Sequence, residues 1–284
     1  MAIRPKTLYA SIAPVLIGTS MAFGDGVHDF SIAGIVLLAA VLIQIGTNFV
    51  NDYCDHKAGV DTAERLGPVR VTQAGLVKPA TLKWVSIFIF VLVVALAVIL
   101  YERGGWPIAV IAVSSILAGI LYTAGSRPLG YLGWGEFLVF IFFGPVAVAG
   151  TYYLQSLEMN SAVVLAGFAP GFLSCAVLTV NNLRDIATDS AAGKKTMAVR
   201  FGRSFATSEY LFFILAAALM PVSIFFITQD HLYTLVSVVI CLAAIPLASI
   251  VYSRTDGPSL NLALADTGKL LLVYSVLFSL GWIL

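Results

Sequence analysis

The chain has 284 residues, of which 60% are hydrophobic and only 11% charged, too little polar surface to cover a water-soluble globule of that size. The formal net charge is +1 and no basic run is interleaved with aromatic residues, so no nucleic acid is expected among its partners. The composition is that of an integral membrane protein, and no low-complexity segment or soluble domain interrupts it, so a single membrane domain over 1–284 is expected.

A helix that crosses the hydrocarbon needs about 20 mainly apolar residues. Nine segments meet or approach that length: 7–24, 30–52, 80–101, 105–122, 134–155, 160–183, 205–228, 232–253 and 265–284. The first follows Arg4 and Lys6, as a secretion signal would. Pro14 interrupts it, however, and no small-residue cleavage site follows, so it reads as a retained helix. The N-terminal tail and the loops after even-numbered spans collect all but one of the 16 Lys and Arg, leaving Arg103 for the other side. By the positive-inside rule the N-terminus is cytoplasmic and the C-terminus outside. Without a targeting peptide, the expected location is a plasma membrane. The long loops at about 53–79 and 184–204 lie on the cytoplasmic side and are expected to act as lids.

The second span closes on Asn51-Asp52-Tyr53-Cys54-Asp55-His56-Lys57-Ala58-Gly59-Val60-Asp61, where a bilayer tolerates carboxylates least. The sixth closes on Asn181-Asn182-Leu183-Arg184-Asp185-Ile186-Ala187-Thr188-Asp189, with Gly193-Lys194-Lys195-Thr196 soon after. Asn51, Asp55 and Gly59 align with Asn181, Asp185 and Asp189, a four-residue step that puts each set on one helical face. Two related halves of about four helices are suggested, with the ninth appended.

Helix C-termini already carry partial negative charge, so these carboxylates call for a cation. Asp52, Asp55, Asp61, Asp185 and Asp189 offer hard oxygen ligands suited to Mg2+, which completes its octahedron with water and phosphate oxygens. Lys57, Arg65, Arg70, Lys194, Lys195 and Arg200 could hold diphosphate oxygens directly. Lys83, Arg203 and Arg254 read as solvated loop charges. Asn51 and Asn181 could be helix C-caps, but ligand or orienting roles are favoured, since each precedes an Asp by four residues.

Elsewhere the signals are blander. Cys54, Cys175 and Cys241 are odd in number and far apart, which suggests neither a disulfide framework nor a zinc site. His28, His56 and His231 show no metal-binding spacing. The aromatic run Phe137–Phe143 and Tyr152-Tyr153 read first as packing or lipid-facing rings. A sharper reading has some of them line a tunnel for an apolar tail, with Gly144-Pro145 and Pro170-Gly171 loosening the helices around it.

Asn51-Asp52-Tyr53-x-Asp55 paired with Asp185-x-x-x-Asp189 resembles the UbiA superfamily of intramembrane prenyltransferases, along nearly the whole chain. More narrowly, Asn51 to Asp61, then Arg65-x-Gly67-Pro68-x-Arg70-x-x-Gln73-x-Gly75, looks like the MenA branch. Arg4-Pro5-Lys6-Thr7-Leu8, the stretch from Leu121 to Glu136, and Asn181 through Thr196 fit the same branch. Ala124-Gly125-Ser126-Arg127 departs from it, where a Gly-Gly-Pro type sequence is more usual, and Gly59 stands where other branches carry a third aspartate, a role Asp61 could take over.

The resemblance implies an all-α bundle of about nine transmembrane helices and Mg2+-dependent transfer of a polyprenyl group from a polyprenyl diphosphate to 1,4-dihydroxy-2-naphthoate, with decarboxylation. It implies Asn51, Asp52, Asp55, Asn181, Asp185 and Asp189 as the metal site, with Asp55, Asp61, Asp185 and Asp189 at the chemistry. Arg70 or Arg127 could orient the acceptor's carboxylate. Rival readings are the same fold with 4-hydroxybenzoate, homogentisate or a lipid glycerol ether as acceptor, and a metal- or proton-coupled transporter. The transporter would place its acidic residues near the bilayer midplane on broken helices, not at one boundary.

Overall fold

The computed structural model describes residues 2–59, 66–67 and 70–284; Asp61, Arg65 and Pro68 therefore lie outside the described residues. Those described form helices and turns only: 3-10 helices at Pro5–Thr7, Leu129–Leu132 and Leu232–Val239, and α1 (Tyr9–Gly24), α2 (Phe30–Lys57), α3 (Pro79–Gly104), α4 (Trp106–Leu121), α5 (Gly135–Phe143), α6 (Pro145–Ser156), α7 (Ser161–Arg184), α8 (Ile186–Ala191), α9 (Met197–Thr228), α10 (Ile240–Ser253, continuing the 3-10 helix before it) and α11 (Gly257–Ile283). Among the described residues, eight helical segments are long and apolar enough to cross a membrane, and α4 is a shorter apolar helix. This is a multi-pass membrane protein.

Helix starts follow local chemistry. The Asp29 carboxylate accepts from the Ser31 and Ile32 amides at 2.8 and 3.2 Å to open α2, Asn160 accepts from Val163 N at 2.9 Å to open α7, and Asp256 accepts from Ser259 N at 2.9 Å to open α11. With Asp256 as cap and Pro258 in its first turn, α11 starts well before the predicted span at 265. Gly268 lies against Lys6 O and the Tyr9 ring, level with the start of α1, so the first turns of α11 continue beyond the apolar part of the bundle. The predicted fifth span is two helices, because Gly144 (φ −117°, ψ −113°) leaves helical geometry and Pro145 restarts it as α6.

α7 is the centre of the bundle. Of its most apolar stretch 67% is buried, against 11% for α2, and it packs on α5, α6, α9 and α11. Hydrophobic transfer does not drive helices together in lipid, so close packing and internal polar bonds must do so. Gly167 and Gly171, four residues apart on α7, supply a close approach to α5 and α6. A Cβ on Gly167 would sit 2.6 Å from Pro145 Cα, and one on Gly171 would sit 2.8 Å from Phe140 O. The break at Gly144 is thus seated against a glycine stripe, and Phe140 packs on Phe168 and Phe172 beside it at ring distances of 5.3 and 4.7 Å. α2, α3 and α4 form a second group, joined to the first along α1 and α6. Between the groups lies a cavity.

Gly167→Val is expected to destabilise by about 1–3 kcal/mol, as overpacking does when the clash is with backbone. Gly34→Ala on α2, where an added Cβ meets nothing within 4 Å, should leave stability unchanged or slightly raised. Melting temperatures of the two variants in detergent check the contrast.

Candidate active site

The cavity has a volume of about 390 Å3, within the range of small-molecule sites, and is mostly apolar. Its walls come from α1, α2, α3, α4, α5, α6, α7 and α11. Val36, Ala40 and Ile43 face it from α2, Ala112 and Ser115 from α4, and Phe142 and Phe143 from α5. At one end it meets Asn51, Asp55, Asn181, Asp185 and Asp189, so the two acidic segments share one mouth.

Each carboxylate there is engaged by a cation from another part of the chain or from its neighbour. Asp52, 1% exposed, accepts from Arg4 Nη2 at 2.6 Å and from Arg70 Nη1. Asp55 accepts from Arg70 Nη2 at 3.1 Å and from the Tyr131 hydroxyl at 2.8 Å. Lys194 Nζ stands between the segments, 3.3 Å from Asp189 and 3.9 Å from Asp55, above the Tyr131 ring at 4.7 Å. Arg184 donates to both oxygens of Asp185, to Asn181 Oδ1 at 2.9 Å and to Asn261 Oδ1 at 2.7 Å. Asn51 Oδ1 accepts from the Thr123 hydroxyl. Burial pushes the Asp189 carboxyl above the usual carboxylate range, with Lys194 opposing it and Asp185 adding to it.

The second acidic segment is not one continuous helix. α7 ends at Arg184, Asp185 (φ −98°, ψ 10°) joins it to α8, and the Asp189 amide still donates to Asp185 O at 2.8 Å. The four-residue step survives the break, so Asp185 and Asp189 both reach the mouth. In the first segment α2 ends at Lys57, and Gly59 turns the chain away with φ +69°.

The sequence-predicted cations are divided. Arg70 and Lys194 line the cavity, whereas Lys195, Arg200 and Arg127 do not. The Lys195 amide donates to Tyr131 O at 2.8 Å, and the Arg200 guanidinium to Lys195 O at 2.9 Å, tying that loop to the Tyr131 turn. Lys57 faces a different cleft, between α2 and α3. Asp52 is buried behind the cavity wall and holds Arg4 and Arg70. Of the aromatic run only Phe142 and Phe143 reach the cavity; Phe137 is exposed, and Tyr152 donates to Asp25 at 2.6 Å at the far end of the bundle. Arg4, Tyr131, Thr123 and Arg184 were not among the sequence candidates for site roles. Each stands in a segment that carries the family resemblance, but none by residue type alone announces a partner so distant in the chain.

The donors facing the cavity are all oxygens, carboxylate and amide, which suits a hard divalent cation. Among the described residues no three acidic, His or Cys side chains stand close enough to form a metal shell alone.

Residues 11–281 match the model of the UbiA prenyltransferase family. The chain is 35% identical to a 1,4-dihydroxy-2-naphthoate octaprenyltransferase of Haemophilus influenzae, over 98% of this chain and 93% of that one. It is 38% identical to the Mycobacterium tuberculosis protein of the same name, over 96% and 92%. A solved UbiA homolog from Archaeoglobus fulgidus, bound to DMAPP and Mg2+, has the same fold at TM-score 0.70 and 18% identity, covering 99% of this chain and 97% of that one. With the family model matching almost end to end and relatives above one-third identity over nearly their full length, this chain belongs to the UbiA prenyltransferase family.

Proposed function

We propose that the chain, as one catalytic unit, transfers a polyprenyl group from its diphosphate to 1,4-dihydroxy-2-naphthoate, giving demethylmenaquinol, diphosphate and CO2 in menaquinone biosynthesis. The observation that carries this reading is two clusters of buried carboxylates facing one another at the mouth of a largely apolar cavity. Relatives that bear the naphthoate octaprenyltransferase name over almost their whole length support the acceptor. The donor's tail would lie in the cavity and its diphosphate at the mouth, where Arg70 and Lys194 offer cationic hydrogen-bond donors.

Asn51, Asp55, Asn181, Asp185 and Asp189 would hold Mg2+, which when bound stabilises charge on the leaving diphosphate. Asp52 keeps Arg70 beside Asp55. Tyr131 steadies Asp55 and carries Lys194 on its ring. In the reaction the C–O bond to diphosphate breaks with its electron pair, a C–C bond forms from the electron-rich ring, and the ring carboxylate departs as CO2. Apolar walls would keep water from the allylic centre, with Phe142 and Phe143 among the residues that line the cavity. Asp61 and Arg65 would contribute to the same mouth as base or ligand and as a diphosphate contact, with the loops that carry them acting as lids. The excess of Lys and Arg at the end that bears the site supports an orientation with site and N-terminus cytoplasmic and the C-terminus outside, in what we take to be a plasma membrane.

Purified protein given a polyprenyl diphosphate, the naphthoate and Mg2+ should form prenylated product with CO2 release, and EDTA should stop both. Turnover of 4-hydroxybenzoate in place of the naphthoate would keep the donor chemistry and discard the acceptor. Asp55→Asn and Asp185→Asn are each expected to lower turnover by roughly a hundredfold or more while eluting as folded protein on gel filtration. Full activity in either variant would sink the metal assignment. Ala112 lies nine residues before the end of α4, about 14 Å along its axis from the mouth. Ala112→Phe should therefore suppress turnover of a long-chain donor while sparing dimethylallyl diphosphate, as read from product yields with the two donors.

A further inference from the structure

A second cleft opens on the outer side of α2, away from the acidic mouth, where the last turn of α2 meets the first turns of α3. It is lined by Tyr53, His56 and Lys57 from α2 and by Lys83 and Trp84 from α3. Lys83 Nζ lies 5.7 Å from the centre of the Trp84 ring, which is 65% exposed. Neither Lys57 nor Lys83 has a carboxylate partner among the described residues, since Asp52 and Asp55 turn inward to Arg4, Arg70 and Lys194.

The depth of this cleft can be read from α3 itself. Beyond Trp84 its exposed face is apolar, through Val85, Phe88, Val91 and Val98, until Tyr101 meets Trp106 edge-on at 6.0 Å. From Trp84 to Tyr101 is about 26 Å of helix, close to the thickness of the hydrocarbon, with an aromatic ring at each boundary. Trp84 and Lys83 therefore stand at headgroup level, and Lys57 is across the cleft from them. Two cations from neighbouring helices, an imidazole and an indole converge where lipid phosphates lie, above an apolar face on which acyl chains can rest. Basic pockets between transmembrane helices at this depth select anionic headgroups.

We propose that the α2–α3 cleft is a binding site for an anionic phospholipid, with Lys57 and Lys83 on the phosphate, Trp84 at the glycerol level and the acyl chains along Phe88 and Val91. Occupancy would brace the last turn of α2, whose opposite face carries Asn51 and Asp55 into the cavity.

The test uses the full chain, delipidated in detergent, with bound lipid counted by native mass spectrometry and stability followed by melting temperature. Phosphatidylglycerol should bind and raise the melting temperature, whereas phosphatidylcholine should do neither. Lys57→Gln/Lys83→Gln should weaken phosphatidylglycerol binding by roughly tenfold, and Lys57→Arg/Lys83→Arg should restore it. Lys269→Gln, an exposed lysine on α11, should bind as the parent does. Equal binding of the two lipids by the unaltered protein overturns the proposal without recourse to any variant. So does a folded double variant that retains parental affinity. Displacement of the lipid by millimolar inorganic phosphate would assign the cleft to a soluble phosphate instead and would equally overturn it.

Discussion

Four buried aspartates crowd one end of this bundle, beside helix C-termini whose unpaired carbonyls add to the negative charge, and the cations that meet them organise the polar end of the chain. Arg4 comes from the N-terminal tail, Arg70 from the stretch after α2, Lys194 from the stretch after α8, and Arg184 from the end of α7. A carboxylate stripped of its partner at such a depth costs several kcal/mol. The compensation therefore pulls segments far apart in sequence over a single mouth. Asn261 extends the same network to the first turns of α11, accepting from Arg184 and donating to Leu66 O at 3.0 Å. Under the proposed function, a divalent ion and a diphosphate would bring both signs of charge that the ion pairs now supply to one another.

Beneath that mouth the requirement is different. The bundle packs tightly on one side and loosely on the other, which leaves the largely apolar cavity where the proposed donor's tail would lie. Gly167 and Gly171 let α7 lie against the break between α5 and α6, while small residues such as Ala40, Ala112 and Ser115 keep the facing wall thin. The Phe140, Phe168 and Phe172 cluster fills the packed side, leaving Phe142 and Phe143 to the cavity.

α2 has a position between two environments. Asn51 and Asp55 look into the cavity, and Tyr53, His56 and Lys57, interleaved with them or directly following, look out to the α2–α3 cleft. The 3.6-residue period makes this division unavoidable: a helix with the step that brings Asn51 and Asp55 together must send Lys57 elsewhere. That is the physical reason Lys57 reads as a diphosphate contact by proximity in sequence yet lies outside the cavity in the fold.

Much of this was legible in the residues alone. Apolar run lengths determined a multi-pass helical protein, the carboxylates at two span ends marked where chemistry would sit, and the segments from Arg4 to Thr196 carried the family resemblance that the relatives support. Local caps and breaks such as Asp256, Pro258, Gly144 and Pro145 also act through near neighbours, although their effect on the predicted spans emerged only from the backbone. Partner choice was another matter. That Arg70 serves both Asp52 and Asp55, that Tyr131 supports Asp55, and that Lys194 bridges two acidic segments more than a hundred residues apart depends on which loops fold over the mouth. Run length and four-residue steps describe what a segment does along its own axis; the rotation of each helix about that axis, which decides what its side chains meet, is set only when all of them pack together.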